Sequence, residues 1–308
     1  MELEFVRWLQ AQTPPHRGVL VGIGDDAAVL APSGGGKIVV TTDMLMDGVD
    51  FQFGMANARR IGRKSLAVNL SDLAAMAARP LAAFISVALP RQNGREIAEE
   101  LYKGQLDLAK QFDTALAGGD TNSWEGPLVI SVTALGEVTQ RGPLLRSGAR
   151  PGDHILVTGS FGGSILGRHF DFTPRVVEAL ALHEKYQLHA CIDVSDGLSL
   201  DLARMATASG CGAELDLSTI PIAPDAVRLV DSSTDGVSAL EHALADGEDF
   251  ELIMAAAPED ARQIVASAPV SAGITCIGQF IETPGLWQLL ADGSRKSLEP
   301  RGYQHKLA

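Results

Sequence analysis

Residues 66–80 read Leu66-Ala-Val-Asn-Leu-Ser-Asp-Leu-Ala-Ala-Met-Ala-Ala-Arg-Pro80. Leu66, Leu70, Leu73 and Met76 or Ala77 recur at the spacing of one helical face, so a helix is expected from Ala56 to Ala78, stopped by Pro80. The run from Leu66 to Pro90 is the most apolar in the chain, yet Asp72, Arg79 and Pro80 interrupt it, which excludes a membrane span there. An aspartate inside so apolar a helix is the first sign of chemistry.

Upstream, Lys37 to Thr42 is β-branched and reads as a strand closed by Asp43. Before it, Val19-Leu-Val-Gly-Ile-Gly-Asp-Asp26 is a short apolar run ending in two acids, and Pro32-Ser-Gly-Gly-Gly36 is a turn. Glu2 to Gln10 sets Leu3, Val6 and Leu9 on one face of a short helix. Downstream come a strand, Phe84 to Leu89, and a helix, Gly94 to Phe112, with acids early and Lys110 late. Ala115 to Gly119 leads to a corner at Asp120, and Leu128 to Val138 forms a long strand.

Gly142 to Asp153 is rich in Gly, Pro and charge, and sets a domain boundary: 1–146 and 147–308. Beyond it, strands are expected at His154–Thr158, at Cys191 running into Asp193-Val-Ser-Asp-Gly197, at Phe250–Ala255 and at Ile274–Ile281. A helix from Leu198 to Ser209 is closed by Gly210. Strands and helices mix without regular βαβ alternation, which predicts an α+β fold. With 308 residues, two domains are the natural division.

Composition excludes several classes. A net charge of −13 repels nucleic acid. Three scattered cysteines, Cys191, Cys211 and Cys276, give neither a disulfide framework nor a zinc-ligand spacing. The N-terminal residues lack the basic and apolar regions of a signal peptide, and a cytoplasmic location is expected. The seven histidines show no metalloprotease spacing, and no Gly-x-Ser-x-Gly elbow is present. Gly159 to Gly167 lacks the Lys-Ser/Thr ending of a phosphate-binding P-loop and reads as a turn opening a helix.

Four acidic clusters share one design, an apolar strand followed by a turn and an aspartate: Gly24-Asp25-Asp26, Thr41-Thr42-Asp43, Gly118-Gly119-Asp120-Thr121 and Asp193-Val-Ser195-Asp196-Gly197. A fifth, Asn69-Leu-Ser71-Asp72, lies within the helix. Turn-building and helix capping explain any one of them. Taken together they fit hard oxygen ligands for Mg²⁺ bridging the phosphates of ATP, since converging carboxylates repel unless a cation offsets them. Arg146, in the boundary loop, is either a phosphate contact or a solvated arginine.

These motifs, with Gly22-Ile-Gly-Asp-Asp-Ala-Ala, Val68-Asn-Leu-Ser-Asp-Leu-Ala-Ala-Met, Arg146-Ser-Gly-Ala-Arg-Pro-Gly-Asp, Gly247-Glu-Asp-Phe-Glu-Leu and Gly302-Tyr303-Gln-His305, closely resemble the thiamine-monophosphate kinase family of the aminoimidazole-ribonucleotide-synthetase-like superfamily. The match runs in order along nearly the whole chain. The resemblance implies an N-terminal α/β domain whose sheet pairs across a homodimer, a C-terminal α+β domain, and ATP in the cleft between them. It implies direct transfer of the γ-phosphoryl group of ATP to thiamine monophosphate.

Carried over by position, Asp26, Thr41, Thr42, Asp43, Asp72, Asp120, Asp193 and Asp196 resemble the magnesium shell. Of these, Asp43, Asp120 and Asp196 are the expected catalytic acids. Gly119, Asp120, Arg146 and Ser195 resemble nucleotide contacts, Glu248 resembles a substrate contact, and Asp25 supports the site. Two positions depart from the family pattern. Gly48-Val-Asp50-Phe51 carries a carboxylate where the family has histidine near the substrate, and Pro300 stands where a substrate-packing aromatic is usual, leaving Tyr303 as a substitute. Asp50, Glu248 and Pro300 are thus the expected acceptor contacts. The departures keep open a related ATP-dependent enzyme with another small phosphorylated acceptor; a non-catalytic nucleotide-binding or thiamine-phosphate-binding protein is the third reading.

Overall fold

The computed structural model describes residues 2–14, 17–32, 35–232 and 236–305. The chain opens with helix α1 (Glu2–Gln12) and the short strands β1 (Val19–Val21) and β2 (Ala28–Leu30). Val6 and Leu9 of α1 are half-buried; the Leu3 side chain, and Ser33 and Gly34 of the expected turn, lie outside the described residues. Strand β3 (Ile38–Met46), helix α2 (Ala58–Ala75), strand β4 (Ala78–Pro90), helix α3 (Gly94–Gln111) and strands β5 (Ala115–Trp124) and β6 (Val129–Val138) complete the first half. The six strands form one sheet in the order β1-β2-β3-β6-β4-β5, with only β4 and β5 parallel.

Helix α2 is buried almost all round. Ile61, Leu66, Leu70 and Leu73 are wholly enclosed, and so are the polar Lys64, Asn69 and Ser71. An apolar helix enclosed on every side belongs at a centre. It crosses α3 closely enough that a Cβ on Gly62 would stand 2.1 Å from the Leu101 carbonyl oxygen, and one on Gly104 would stand 1.9 Å from that of Arg59. Its end differs from expectation: Pro80 does not stop it. Ala77 turns left-handed (φ 48°) and Met76 caps the helix, after which Pro80 lies within β4 beside a register irregularity. Proline is tolerated at such a bulge because no ladder donor is required there.

Strand β7 (His154–Thr158) opens the second half. Helices α4 (Arg168–Asp171) and α5 (Val176–Lys185) follow, then β8 (Leu188–Asp193), α6 (Leu198–Ala208) and β9 (Gly212–Leu215). Helices α7 (Pro224–Ser232) and α8 (Ala239–Ala245), strand β10 (Leu252–Ala256), helix α9 (Pro258–Ser267) and strands β11 (Ile274–Ile281), β12 (Gly285–Leu289) and β13 (Arg295–Ser297) complete it. Their seven strands run in the order β13-β12-β9-β11-β7-β10-β8. The result is α+β, as the mixed pattern predicted.

Alternate residues of the central strands face two cores. Leu156, Leu252, Met254 and Cys191 join the apolar cluster that contains α2, whereas Ile155, Val157, Ile253 and Ile192 form a second cluster with Leu198, Leu202 and Met205 of α6. Period-two alternation in a strand covered on both faces produces this division. Because α2 also contacts α4, α5 and β8, the two halves share one continuous core, and the crevice between them has firm walls.

Candidate active site

Thr41, Asp43 and Leu45 alternate onto the α2 side of β3, while Thr42, Met44 and Met46 face away. On the α2 side, the Thr41 hydroxyl donates a short hydrogen bond to Asp72 of α2. One residue earlier on the helix, the Ser71 hydroxyl donates to Asp193 at the end of β8, at 2.6 Å. Asp26, wholly enclosed ahead of β2, accepts from the Arg146 guanidinium at 2.7 Å. One carboxylate oxygen each of Asp26, Asp72 and Asp193 lies within 4.8 Å of the others. Three segments and a helix thus bring acids 167 residues apart in sequence into one cluster.

The electrostatics are those of a cation site. Burial raises the carboxyl of Asp43 to about 6, opposed by a hydrogen bond with Asp72 and assisted by the charges of Asp50 and Asp26. Asp25, hydrogen-bonded by the Arg146 amide at 3.2 Å, is also raised to about 6, by burial and then by the charge of Asp26. Burial and neighbouring carboxylates push Asp72 and Asp193 well above 3.8. Oxygen Oδ2 of Asp26 is buried without a hydrogen-bond partner. Such an orphan costs about 1–3 kcal/mol, and two carboxylates 4 Å apart repel by about 4 kcal/mol at an effective dielectric near 20. A divalent cation with a preference for carboxylate oxygens relieves both, so the donor set fits Mg²⁺.

Asp43, hydrogen-bonded with Asp72, links the cluster to a cavity of about 670 Å³ that it lines with Asp50, Ser195, Asp196, Glu248 and Tyr303 among others. That volume suits a small metabolite. A second cavity of about 550 Å³ shares Ser195 and Asp196 with the first and adds Arg146, Arg204, Gln10 of α1 and Leu200 of α6. Glu248 reaches the first cavity from a loop that continues the ladder of β8 and β10: its amide donates to the Ser195 carbonyl at 2.7 Å, and its φ is +62°.

Several expected site residues lie elsewhere. The Thr42 hydroxyl bonds the Val132 carbonyl and Thr133 on the opposite face of the sheet, so its side chain points away from the cluster. Gly119 and Asp120 are not at a turn but inside edge strand β5; the row Met44, Ser131, Ser86, Asp120 sets Asp120 three strands from β3, about 14 Å at the usual spacing. Asp196 lines both cavities but is paired with Arg204 rather than joined to the three-acid cluster. Pro300 lines the second cavity, apart from Asp50 and Glu248, whereas the aromatic rings of Phe250 and Tyr303 line the first.

The sequence reading missed Lys64, Arg204 and His169. Lys64 was findable: it shares the buried stripe of Ile61, Ser65 and Val68 at helical spacing, an unusual seat for a lysine. His169 carried no comparable signal.

Two family models, the N-terminal and C-terminal domains of AIR synthase related protein, match residues 24–138 and 163–286. The fold and the acid-lined crevice are therefore those of a two-domain protein of that class. The thiamine-monophosphate kinase of Rhodopirellula baltica is 45% identical over 99% of this chain and 97% of its own length. On that likeness the chain belongs to the thiamine-monophosphate kinase family. The solved structure of AaThiL complexed with AMPPCP and TMP superposes with a TM-score of 0.82 at 26% identity, covering 99% of this chain and 96% of that one. The thiamine-monophosphate kinase of Stenotrophomonas maltophilia K279a does so with a TM-score of 0.72 at 34% identity, covering 96% of each chain.

Proposed function

We propose that this chain transfers the γ-phosphoryl group of ATP to the phosphate of thiamine monophosphate, giving thiamine diphosphate and ADP. The observation that carries the reading is the buried cluster of Asp26, Asp72 and Asp193, with Asp43 beside it and one Asp26 oxygen unpartnered, at the edge of a metabolite-sized cavity. Family membership supports the same reading.

Mg²⁺ would be held by Asp26, Thr41, Asp43, Asp72 and Asp193, with Asp196 and the Thr42 main chain at the margin; when bound, it neutralises charge on the phosphates during transfer. The chain's own groups do the remaining work. Arg146 and Ser195 meet the nucleotide on the side of the second cavity, and Asp26 fixes the Arg146 guanidinium in place. Asp50 and Glu248 face the acceptor, and their negative charge favours its cationic thiazolium. Tyr303 supplies the aromatic surface in place of Pro300. The enclosed walls hold donor and acceptor phosphates together and limit water, which is the main protein contribution to phosphoryl transfer.

We further propose a homodimer formed through the outer face of the first sheet, where Met44, Met46 and Phe84 are 59%, 37% and 42% exposed. A second copy is also the simplest route for Gly119 and Asp120 to approach a nucleotide, since in one chain they stand far from β3. Residues 1–146 and 147–308 are proposed as the domains and the cytoplasm as the location; among the described residues no helix is long and apolar enough to cross a membrane.

An acceptor screen tests the reading, because Asp50 stands where the family pattern has histidine. Initial rates of ADP release with Mg²⁺ are compared for thiamine monophosphate, thiamine and other small phosphate esters. Thiamine monophosphate should give the highest kcat/KM by at least tenfold; a better acceptor among the others would move the activity to a sister reaction, and release with none would leave a binding protein.

A further inference from the structure

Lys64 is enclosed completely, among the largest buried side chains of the described residues, and no step described so far uses it. Its ammonium donates to the Asp50 carbonyl at 2.7 Å, forms a short ion pair with Oε1 of Glu248, and lies 2.9 Å from Nδ1 of His169. His169 Nδ1 is in turn 3.0 Å from the other Glu248 oxygen. Asp50 belongs to the segment after β3, Lys64 to α2, His169 to α4 and Glu248 to the loop before β10. One buried charge thus ties both walls of the acceptor cavity, across the two halves of the chain.

A lysine that serves only stability is seldom buried whole, because removing its charge from water costs several kcal/mol unless partners compensate. Here the partners are asymmetric. The Lys64 side chain has no exposure, whereas that of Glu248 keeps 30% and lines the cavity. Glu248 also holds a left-handed backbone conformation unusual for its type, as does Phe250 (φ +51°) two residues on. Backbone strain of this kind collects where a side chain must be aimed. Burial alone would raise the Glu248 carboxyl; the hydrogen bond from His169 and the charge and hydrogen bond of Lys64 outweigh it and leave the group below its ordinary value. The carboxylate presented to the cavity is therefore kept ionised and oriented from behind.

We infer that Lys64, with His169, is a positioning residue for the acceptor: it aims the Glu248 carboxylate and fixes the Asp50 segment, so that a cationic acceptor is recognised by preset charges. The inference rests on the proposed reaction and adds two residues that act through Glu248, not on the acceptor directly. Acting through another group has a kinetic signature that mere structural support does not.

The test is steady-state kinetics on the full-length protein with Mg²⁺, ATP and thiamine monophosphate. Lys64→Met should raise the acceptor KM at least tenfold and leave the ATP KM within twofold. Glu248→Gln should act alike, and the double variant should be no worse than the more severe single one, because the lysine has nothing left to aim. His169→Leu should follow Lys64→Met, while His169→Asn, whose amide nitrogen stands near the lost Nδ1, should recover most of the acceptor affinity. The histidine pair carries the test if Lys64→Met does not fold. An acceptor KM unchanged in Lys64→Met, both KM values raised together, or effects that multiply in the double variant would each overturn the inference. For the histidine pair, equal losses in His169→Leu and His169→Asn would do so. A wild-type protein without turnover on thiamine monophosphate sinks the proposed reaction and this inference with it, whereas an active wild type with unshifted variants sinks this inference alone.

Discussion

Single side chains decide the chemistry, and Asp72 is the most exposed to test. It accepts from Thr41, neighbours Asp43 and shares its cluster with Asp26 and Asp193. Asp72→Asn should lower kcat by about 10²–10³-fold, the scale of one lost charge-stabilising contact, of order 2.7–4 kcal/mol. The same change should stabilise the metal-free fold, because it removes one repelling carboxylate. The pH dependence follows from the raised carboxyls. Asp25 and Asp43 sit near 6, and Asp72 and Asp193 are also raised, through burial first and neighbouring acids next. The folded state then holds protons that the unfolded chain releases near pH 4. This stabilisation is complete below the ordinary carboxylate range and is lost as pH rises through 6. Without divalent metal the urea midpoint should fall between pH 5 and 7.5, and saturating Mg²⁺ should reduce that fall; a metal-free midpoint that rises over the interval contradicts the assignment. Glycine, serine, threonine and aspartate motifs made Asp26, Asp72 and Asp193 legible in sequence because each motif is local. The Lys64–His169–Glu248 contact was not legible, since its members are 105 and 79 residues apart, counted along the chain, and only packing joins them.

At the scale of elements, β7 (His154–Thr158) and β11 (Ile274–Ile281) have the bounds that β-branched and apolar runs suggested, and α3 ends one residue short of expectation. The misreadings share one cause. Strand β3 runs on through Asp43 to Met46, and β5 runs through Gly118-Gly119-Asp120, because each pairs with a neighbour along its length. Cross-strand hydrogen bonds override a turn-forming composition when a partner strand is available, and that partner is not visible in local sequence. Proline at position 80 was read as a stop for the same reason. The close crossing of α2 and α3 yields a direct prediction. Gly62→Ala puts a methyl group against the Leu101 carbonyl and should destabilise the fold by about 1–3 kcal/mol, as overpacking usually does. Equilibrium urea denaturation reads this, and an unchanged midpoint would mean that the helices separate freely.

For the molecule as a whole, two halves share one core, and the acidic crevice lies where they meet. The proposed dimer belongs to this scale. Met44→Glu combined with Phe84→Glu charges the outer face of the first sheet and should shift sedimentation from dimer to monomer at micromolar concentration; wild-type protein that sediments as a monomer would remove the dimer from the account. The α+β architecture was legible from the mixed order of elements. The position of Asp120 was not, because sheet order is a property of the assembled domain. What the whole depends on is that distant aspartates form one metal-dependent phosphoryl-transfer site. The most direct measurement is simultaneous quantification of ADP and thiamine diphosphate from ATP and thiamine monophosphate, with Mg²⁺ and with excess chelator. The account predicts the two products in a one-to-one ratio with Mg²⁺ and neither with chelator. Thiamine diphosphate formed at an undiminished rate in chelator, or ADP released without it, would contradict the account.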